Sequence, residues 1–116
     1  MQPPGPSHEP AIGTVIIPAP ESLDIYTAAA TRDQLREAIE QAGAETVILD
    51  LDSAEYVDMT GLGVIAAAHN HARRHDRIFA VACTREPLLR KFRITGLNHA
   101  VEIRDSTDDG RGHDHG

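Results

Sequence analysis

Residues 46–65, TVILDLDSAEYVDMTGLGVI, contain the transition that decides the fold. The segment begins with a β-branched and apolar run, Thr46 to Leu51, which is typical of a central, buried strand. After a short connection, Thr60 or Gly61 opens a helix that continues to about Arg74. Thr60 is a candidate N-cap, since a threonine hydroxyl accepts a hydrogen bond from a first-turn N–H. The segment therefore predicts a strand followed by a helix, the unit from which α/β proteins are built.

Strand and helix patterns alternate on both sides of this unit. Predicted strands cover residues 12–17, 78–83 and 100–103, with a short strand or extended loop at 22–26. This order predicts an α/β fold, a single domain with a small, mixed, mostly parallel sheet flanked by helices. The two N-terminal strands are the expected antiparallel element, because neighbouring strands without a helix between them pair in that way.

Two further helices have clear limits in the sequence. The first begins at Thr27 or Thr31 and runs to about Gln41; its buried face is predicted from helical spacing to hold Leu35, Ala38, Ile39 and Ala42. The last covers residues 86–94 and ends at Gly96, since glycine is a common helix terminator. The folded domain is thus predicted to span residues 12–103. Residues 1–11 are expected to form a proline-rich, disordered leader and residues 104–116 a disordered, acidic and histidine-containing tail.

Composition and charge exclude several classes of function. A net charge of −7 argues against a nucleic-acid surface, which needs clustered Lys and Arg. No apolar run approaches the roughly 18 residues of a membrane span, and the first residues lack the apolar stretch of a secretory signal. The single cysteine, Cys83, lies in an apolar run and is interpreted as a small core residue. A soluble, cytoplasmic protein without membrane or nucleic-acid partners is expected.

The glycines after Thr60 invite a nucleotide-binding interpretation. Gly61, Gly63 and Ala66 match the letters of a dinucleotide-binding turn, with Glu86 as the acidic residue downstream. The context does not match. Nine residues separate Leu51 from Gly61, whereas that turn has its first glycine at the end of the strand, and too little chain follows for a second nucleotide-binding half. The simpler interpretation is a capped helix start, with Asp58 favoured by the helix dipole.

The fuller segment, residues 47–65, resembles the signature of the STAS family, the bacterial anti-sigma factor antagonists. In that family a strand ending in Asp-Leu leads through a loop to Asp-Ser-Ser/Thr-Gly-Leu-Gly, which here reads Asp58-Met-Thr-Gly-Leu-Gly63. Upstream, Leu23-Asp-Ile-Tyr-Thr-Ala28 is similar to the family's Leu-Asp-x-x-Thr-Ala segment. The resemblance covers residues 12–103, essentially the whole predicted domain.

The resemblance implies a partner switch rather than an enzyme. The hydroxyl at the position of Thr60 would be phosphorylated by a kinase-type anti-sigma factor that supplies the ATP and Mg²⁺. The unmodified protein would bind that kinase and release the sigma factor, and a phosphatase would reverse the modification. Asp58 and Asp24 would orient or recognise the acceptor. Gly61, Leu62 and Gly63 would shape the turn and contact the partner. The chain itself would need no cofactor.

The segment departs from the family pattern at Met59, where the family carries a first hydroxyl. Thr60 is then the remaining acceptor, and its β-branched side chain is stiffer than serine, which would slow phosphoryl transfer. Met59 is flexible and apolar and could instead pack into a groove of the partner.

Two alternative functions remain open from the sequence. The chain could be a STAS-like binding module of a membrane lipid transporter or sensory complex, or a small nucleotide-binding protein. A metal site is not expected. His71 and His75 are spaced to ligate together but are interpreted as solvated side chains on a polar helix face, and the pair His113 and His115 lies in the tail. No positioned histidine or nucleophile elbow accompanies Cys83 or a serine, so no catalytic residue is predicted.

Overall fold

Strands and helices alternate in the computed structural model, which describes residues 13–107. The strands are β1 (Thr14–Pro18), β2 (Ser22–Leu23), β3 (Thr46–Asp50), β4 (Tyr56–Val57), β5 (Ile78–Ala82) and β6 (Glu102–Arg104). The helices are α1 (Ala28–Glu40), α2 (Met59–Arg74) and α3 (Glu86–Thr95), and 3₁₀ turns cover Leu51–Ser53 and Leu97–His99. This element order confirms the predicted α/β class.

The strands form a main sheet and a small second sheet. The main sheet has the order β1-β3-β5-β6, and β2 pairs with β4 beside it. Within residues 13–107 every pair of strands is parallel. Parallel neighbours need crossover connections, and α1, α2 and the segment from α3 through Val101 supply them between successive strands of the main sheet.

The predicted antiparallel pairing of the two N-terminal strands is wrong. The chain does not reverse after β1. Ala19 N donates to Asp50 O at 3.0 Å, which extends the pairing of β1 with β3 beyond Pro18. The chain then continues in the same direction into β2, which pairs with β4. Its partner is therefore more than 30 residues away in sequence, so no local turn signal could reveal it.

The helices pack on one face of the main sheet. Alternate strand residues, such as Val47, Leu49 and Val81, join the same buried cluster as Leu35 of α1, Ile65 of α2 and Phe92 of α3. The intervening residues Ile48, Ala80 and Ala82 form a smaller cluster on the opposite face, with Ile16 packed against it. Such continuous apolar strands are typical of a sheet that is buried on both faces.

The ends of α1 and α3 lie close to the predicted ones, and Ala42 is the one residue of the predicted α1 face that is not buried. Thr27 is the N-cap of α1, and Leu35, Ala38 and Ile39 are buried as expected. Ala42 is exposed because α1 ends at Glu40 and the chain leaves the helix at Gln41. Gly96 has a φ of 78° and ends α3 in the left-handed conformation that glycine adopts without strain.

The predicted leader, residues 1–11, and the part of the predicted tail after Thr107 lie outside the described residues. The last strand, β6, ends at Arg104, the residue at which that tail was predicted to start. Among residues 13–107, no helix is both long enough and apolar enough to span a bilayer.

Candidate functional site

The N-terminus of α2 begins one or two residues earlier than predicted. Asp58 is the N-cap; its Oδ1 accepts a hydrogen bond from Gly61 N at 2.9 Å, and its carbonyl oxygen accepts from Leu62 N at 2.9 Å. Thr60 is therefore the second residue of the helix rather than its cap. Asp58 rather than Thr60 is the N-cap because the Asp58 N–H donates to Leu23 O of β2 at 3.2 Å. This hydrogen bond holds Asp58 in an extended conformation just before the helix.

Gly61 allows α2 to start directly against β2. A Cβ at position 61 would lie 2.5 Å from Leu23 O, 2.8 Å from Leu23 Cγ and 3.0 Å from Val57 Cγ1. Only glycine fits this approach without a shift of the helix. Gly63 differs, since a Cβ there would meet nothing within 4 Å. Gly63 is exposed, so its lack of a side chain leaves the helix surface open rather than relieving a contact.

This packing also argues against the nucleotide-binding interpretation. In a phosphate-binding turn the glycine backbone faces the ligand and its N–H groups are free to donate. Here Gly61 is buried against Leu23, and its N–H is already bonded to the carboxylate of Asp58.

Thr60 is displayed at the surface. Its side chain is exposed, as is that of Met59, of which 70% is accessible. Within residues 13–107 its hydroxyl makes no hydrogen bond to the protein. Gly61 and Leu62, which were predicted to contact a partner, are buried, and Leu62 belongs to the main core. The exposed members of the predicted site are therefore Met59, Thr60 and Gly63, and Asp58 is half-buried beside them.

Asp24 lies in the neighbouring loop, where it stabilises that loop. Its Oδ1 accepts hydrogen bonds from Tyr26 N at 2.9 Å and Thr27 N at 3.3 Å. The hydroxyl of Thr27 donates to Ser22 O at 2.7 Å. Pairing of β2 with β4 places this loop beside the start of α2. Among the described residues no hydrogen bond joins Asp24 to Thr60, and the hydrogen bonds of the Asp24 carboxylate are made within its own loop.

An exposed apolar surface adjoins Thr60. A shallow groove of about 260 Å³ is lined by Tyr56, Asp58, Met59, Leu62, Lys91, Ile94 and Thr95. Ile94 is 75% exposed and Tyr56 49% exposed. Lys91 spans the groove, donating to Val57 O, and its Nζ lies 4.8 Å from the centre of the Tyr56 ring. We call this region, together with Thr60, the α2 start surface.

The loop after β2 carries two further exposed apolar side chains, Ile25 at 67% and Tyr26 at 92%. Neither these residues nor Tyr56, Lys91 and Ile94 were predicted as site residues. A signal for Ile94 was present in the sequence. Leu88 and Phe92 define the buried face of α3, and Ile94 lies two residues beyond Phe92, off that face. Clusters of exposed large apolar residues of this kind typically mark interaction surfaces.

The interpretation of His71 as a solvated side chain is wrong. Only 7% of His71 is exposed, and its Nε2 lies 2.7 Å from Glu40 Oε2 of α1. Helical spacing contained the signal, since His71 follows the buried Val64 and Ala68 by seven and three residues. His75 is exposed as expected. Cys83 is buried in the core, and this burial raises the pKa of its thiol, which agrees with a packing role.

The fold and this surface define a class of protein: a small α/β domain whose second helix presents an exposed hydroxyl beside an apolar groove. The sequence profile of the STAS domain matches residues 7–110. Because this match spans most of the chain, the protein belongs to the STAS domain family, as its sequence resemblance predicted.

Several proteins similar to this chain are anti-sigma factor antagonists. The anti-sigma F factor antagonist of Paenibacillus polymyxa is 29% identical over 94 residues, which cover 81% of this chain and 80% of that protein. The anti-sigma-B factor antagonist of Listeria monocytogenes is 32% identical over 82 residues, covering 71% of each chain. The crystal structure of an anti-sigma factor antagonist from Mycobacterium paratuberculosis shares the fold, with a TM-score of 0.74, 19% identity and coverage of 84% of this chain and 82% of that one.

Proposed function

We propose that this protein is an anti-sigma factor antagonist that binds a kinase-type anti-sigma factor through the α2 start surface and is switched off by phosphorylation of Thr60. The observation that carries the proposal is the placement of Thr60, an exposed hydroxyl at the second position of α2, next to the exposed side chain of Met59. The names of the relatives that cover most of this chain support the same function.

The position of Thr60 suits a residue that alternates between a hydroxyl and a phosphate. In the reaction, Thr60 Oγ1 attacks the γ-phosphorus of ATP, the bond to ADP breaks, and a base of the kinase takes the hydroxyl proton. The product carries about −1.5 to −2 charges. First-turn N–H groups and the helix dipole stabilise that charge at an N-terminus. The carboxylate of Asp58 already occupies the Gly61 N–H, so the added phosphate would rely on the N–H groups of Met59 and Thr60.

Phosphorylation would weaken partner binding without unfolding the domain. The phosphate would be carried one residue after the exposed, apolar Met59 and two residues after the half-buried Asp58. Burying it against a partner would then require its desolvation beside a like charge. A loss of ~3 kcal/mol in binding corresponds to a roughly hundredfold weaker complex, which is enough for a switch.

The proposal is tested with candidate kinase-type anti-sigma factors from the source organism. The full chain is incubated with each kinase, ATP and Mg²⁺, and the phosphorylated residue is mapped by mass spectrometry. The affinity of the chain for the kinase is measured by calorimetry in the presence of ADP. We expect phosphate on Thr60 in the parent and in Thr60→Ser, and none at that position in Thr60→Ala. Thr60→Glu should bind the partner at least tenfold more weakly than Thr60→Ala.

Thr84 provides a matched control, since it is an exposed threonine in the loop after β5, with its hydroxyl bonded to Asp52 Oδ2 at 3.0 Å. Thr84→Ala should be phosphorylated and bound like the parent. A kinase that binds the parent but leaves Thr60 unmodified would contradict the proposed switch. Equal affinities for Thr60→Glu and Thr60→Ala would contradict the role of charge at this position.

A further inference from the structure

Three potential metal ligands converge at the opposite end of α2 from Thr60. Glu40 is the last residue of α1, and His71 and His75 lie one turn apart at the C-terminal end of α2. One ligand atom from each side chain lies within 4.8 Å of the other two. The start surface of α2 is 11 residues away, or about 16 Å along the helix at 1.5 Å per residue. This cluster is therefore separate from the proposed partner-binding surface.

The arrangement of the cluster is close to what a tetrahedral metal requires. Ligands bonded to zinc at about 2.0–2.1 Å lie about 3.3 Å from one another. His71 Nε2 and Glu40 Oε2 are 2.7 Å apart, and the rings of His71 and His75 have centres 4.4 Å apart at an angle of 46°. His71 is held in the core, whereas Glu40 and His75 are exposed. The ligand atoms lie within 4.8 Å of one another, so the exposed side chains of Glu40 and His75 would have to move closer to His71 to surround an ion.

The hydrogen bond of His75 prepares it as a ligand. Its Nδ1 lies 3.0 Å from the carbonyl oxygen of His71. A carbonyl oxygen can only accept, so Nδ1 carries a proton, and in the neutral ring Nε2 then has a free lone pair. Histidines that bind metals commonly donate their other ring N–H to a carbonyl or carboxylate in this way. At His71 a metal could bind Nε2 only in the neutral tautomer that carries its proton on Nδ1. The ring proton would then lie on Nδ1 instead of on Nε2, where it can now be shared with Glu40.

Charges around the cluster narrow the choice of metal. Arg32, Arg36 and Arg74 line the groove beside His71, and Arg77 reaches Gln41 O, the residue after Glu40, at 3.5 Å. These guanidinium groups repel cations, so an ion whose binding rests only on electrostatic attraction is disfavoured. The site also offers a single carboxylate to attract such an ion. Mg²⁺ and Ca²⁺ prefer oxygen ligands, whereas two imidazoles and one carboxylate suit Zn²⁺, Ni²⁺ or Cu²⁺.

We propose that Glu40, His71 and His75 form a zinc-class metal site that joins the C-terminal ends of α1 and α2. The protein supplies three ligands and leaves the fourth position for water or an exogenous anion. Because the ligands come from two helices, an ion that binds only the folded chain stabilises it, and this stabilisation rises with the logarithm of the free ion concentration once that concentration exceeds Kd.

The site is tested by titrating Zn²⁺ into the chelator-treated full chain by calorimetry and by thermal unfolding with and without Zn²⁺. We expect one saturable site and a zinc-dependent rise in the unfolding midpoint, with no rise from Mg²⁺ at the same concentration. His75→Ala and Glu40→Gln should each weaken zinc binding at least tenfold and remove the rise. Co²⁺ should give the intense visible absorption of a tetrahedral complex in the parent.

Two controls separate this site from other histidines. His69→Ala changes a histidine of the same helix that faces another direction, since residues two apart do not share a face. The double variant His113→Ala, His115→Ala removes the tail histidines. Both variants should bind Zn²⁺ like the parent. The proposal is overturned if His75→Ala and Glu40→Gln bind as the parent does, if the tail variant abolishes binding, or if millimolar Zn²⁺ shows no saturable binding. If the His71–Glu40 hydrogen bond only joins the two helices and has no metal role, the first or the third of these results is expected.

Discussion

Substitution of Gly61 by alanine should destabilise the protein although it favours the helix. In an exposed helix interior the change from glycine to alanine stabilises by about 1 kcal/mol. At position 61 the new Cβ would lie 2.5 Å from Leu23 O, about 0.9 Å short of the 3.4 Å at which ordinary contact begins. Leu23 O is a backbone atom, so the helix or β2 must move.

The cost of that movement can be worked from the contacts. Overpacking costs about 1–3 kcal/mol. Leu23 O is also the acceptor for Asp58 N at 3.2 Å, and lengthening that hydrogen bond costs about 1 kcal/mol more. After subtracting the gain in helix propensity, the net loss is about 1–3 kcal/mol. In a domain of this size each 1 kcal/mol lowers the unfolding midpoint by about 4–8 °C.

Gly63→Ala is the matched control, because the added Cβ meets nothing within 4 Å. This variant should gain about 0.5–1 kcal/mol from helix propensity. Urea unfolding of the parent and both variants, followed by circular dichroism, measures the two changes in the same helix. Opposite signs are expected. A stabilising effect of Gly61→Ala, or equal shifts for the two variants, would refute the inferred packing of α2 on Leu23.

Two further predictions concern the cap and the buried thiol. Asp58→Ala should lower the free energy of unfolding by about 0.5–2 kcal/mol. Asp58→Asn should lose much less stability, because its side chain still accepts the hydrogen bond from Gly61 N. Equal losses for the two variants in urea unfolding would show that capping is not the cause. Cys83 should react slowly with iodoacetamide in the native protein at pH 7.5 and rapidly after denaturation, because burial raises the pKa of its thiol and restricts access. Fast native labelling, followed by mass spectrometry, would contradict this placement.

The sequence predicted the main sheet and the helices because their signals are local. The β-branched runs at Thr46–Asp50 and Ile78–Ala82 are buried strands, and Gly96 ends α3 as expected. What it could not predict depended on contacts distant in sequence. Asp58 and Thr60 both qualify as helix caps by residue type, and the hydrogen bond from Asp58 to Leu23, 35 residues earlier, selects Asp58.

The proposed site was predicted only in part for the same reason. Thr60 and Asp58 belong to a short local motif, so sequence alone could identify them. The groove beside them combines Tyr56 and Met59 with Lys91 and Ile94 of α3, and no local pattern links these segments. For His71 the sequence did contain a local signal, because its helical spacing indicated burial. The polar character of histidine nevertheless led to the prediction of an exposed side chain.

The two ends of α2 are held by different kinds of contact, and this difference explains how a charge at one end could act as a switch. At the N-terminal end, Asp58 is bonded to Leu23 and to Gly61, and Gly61 is packed against the backbone of β2. The backbone that carries Thr60 is thus fixed on both sides, while the Thr60 side chain remains exposed. Because this backbone is fixed, a phosphate on Thr60 could not be moved away by a local rearrangement of the helix start. Its charge would therefore lie at the surface that a partner would cover. At the other end, Glu40 and His75 are exposed and adjustable, which suits the binding of an ion but not the rigid display of a recognition residue.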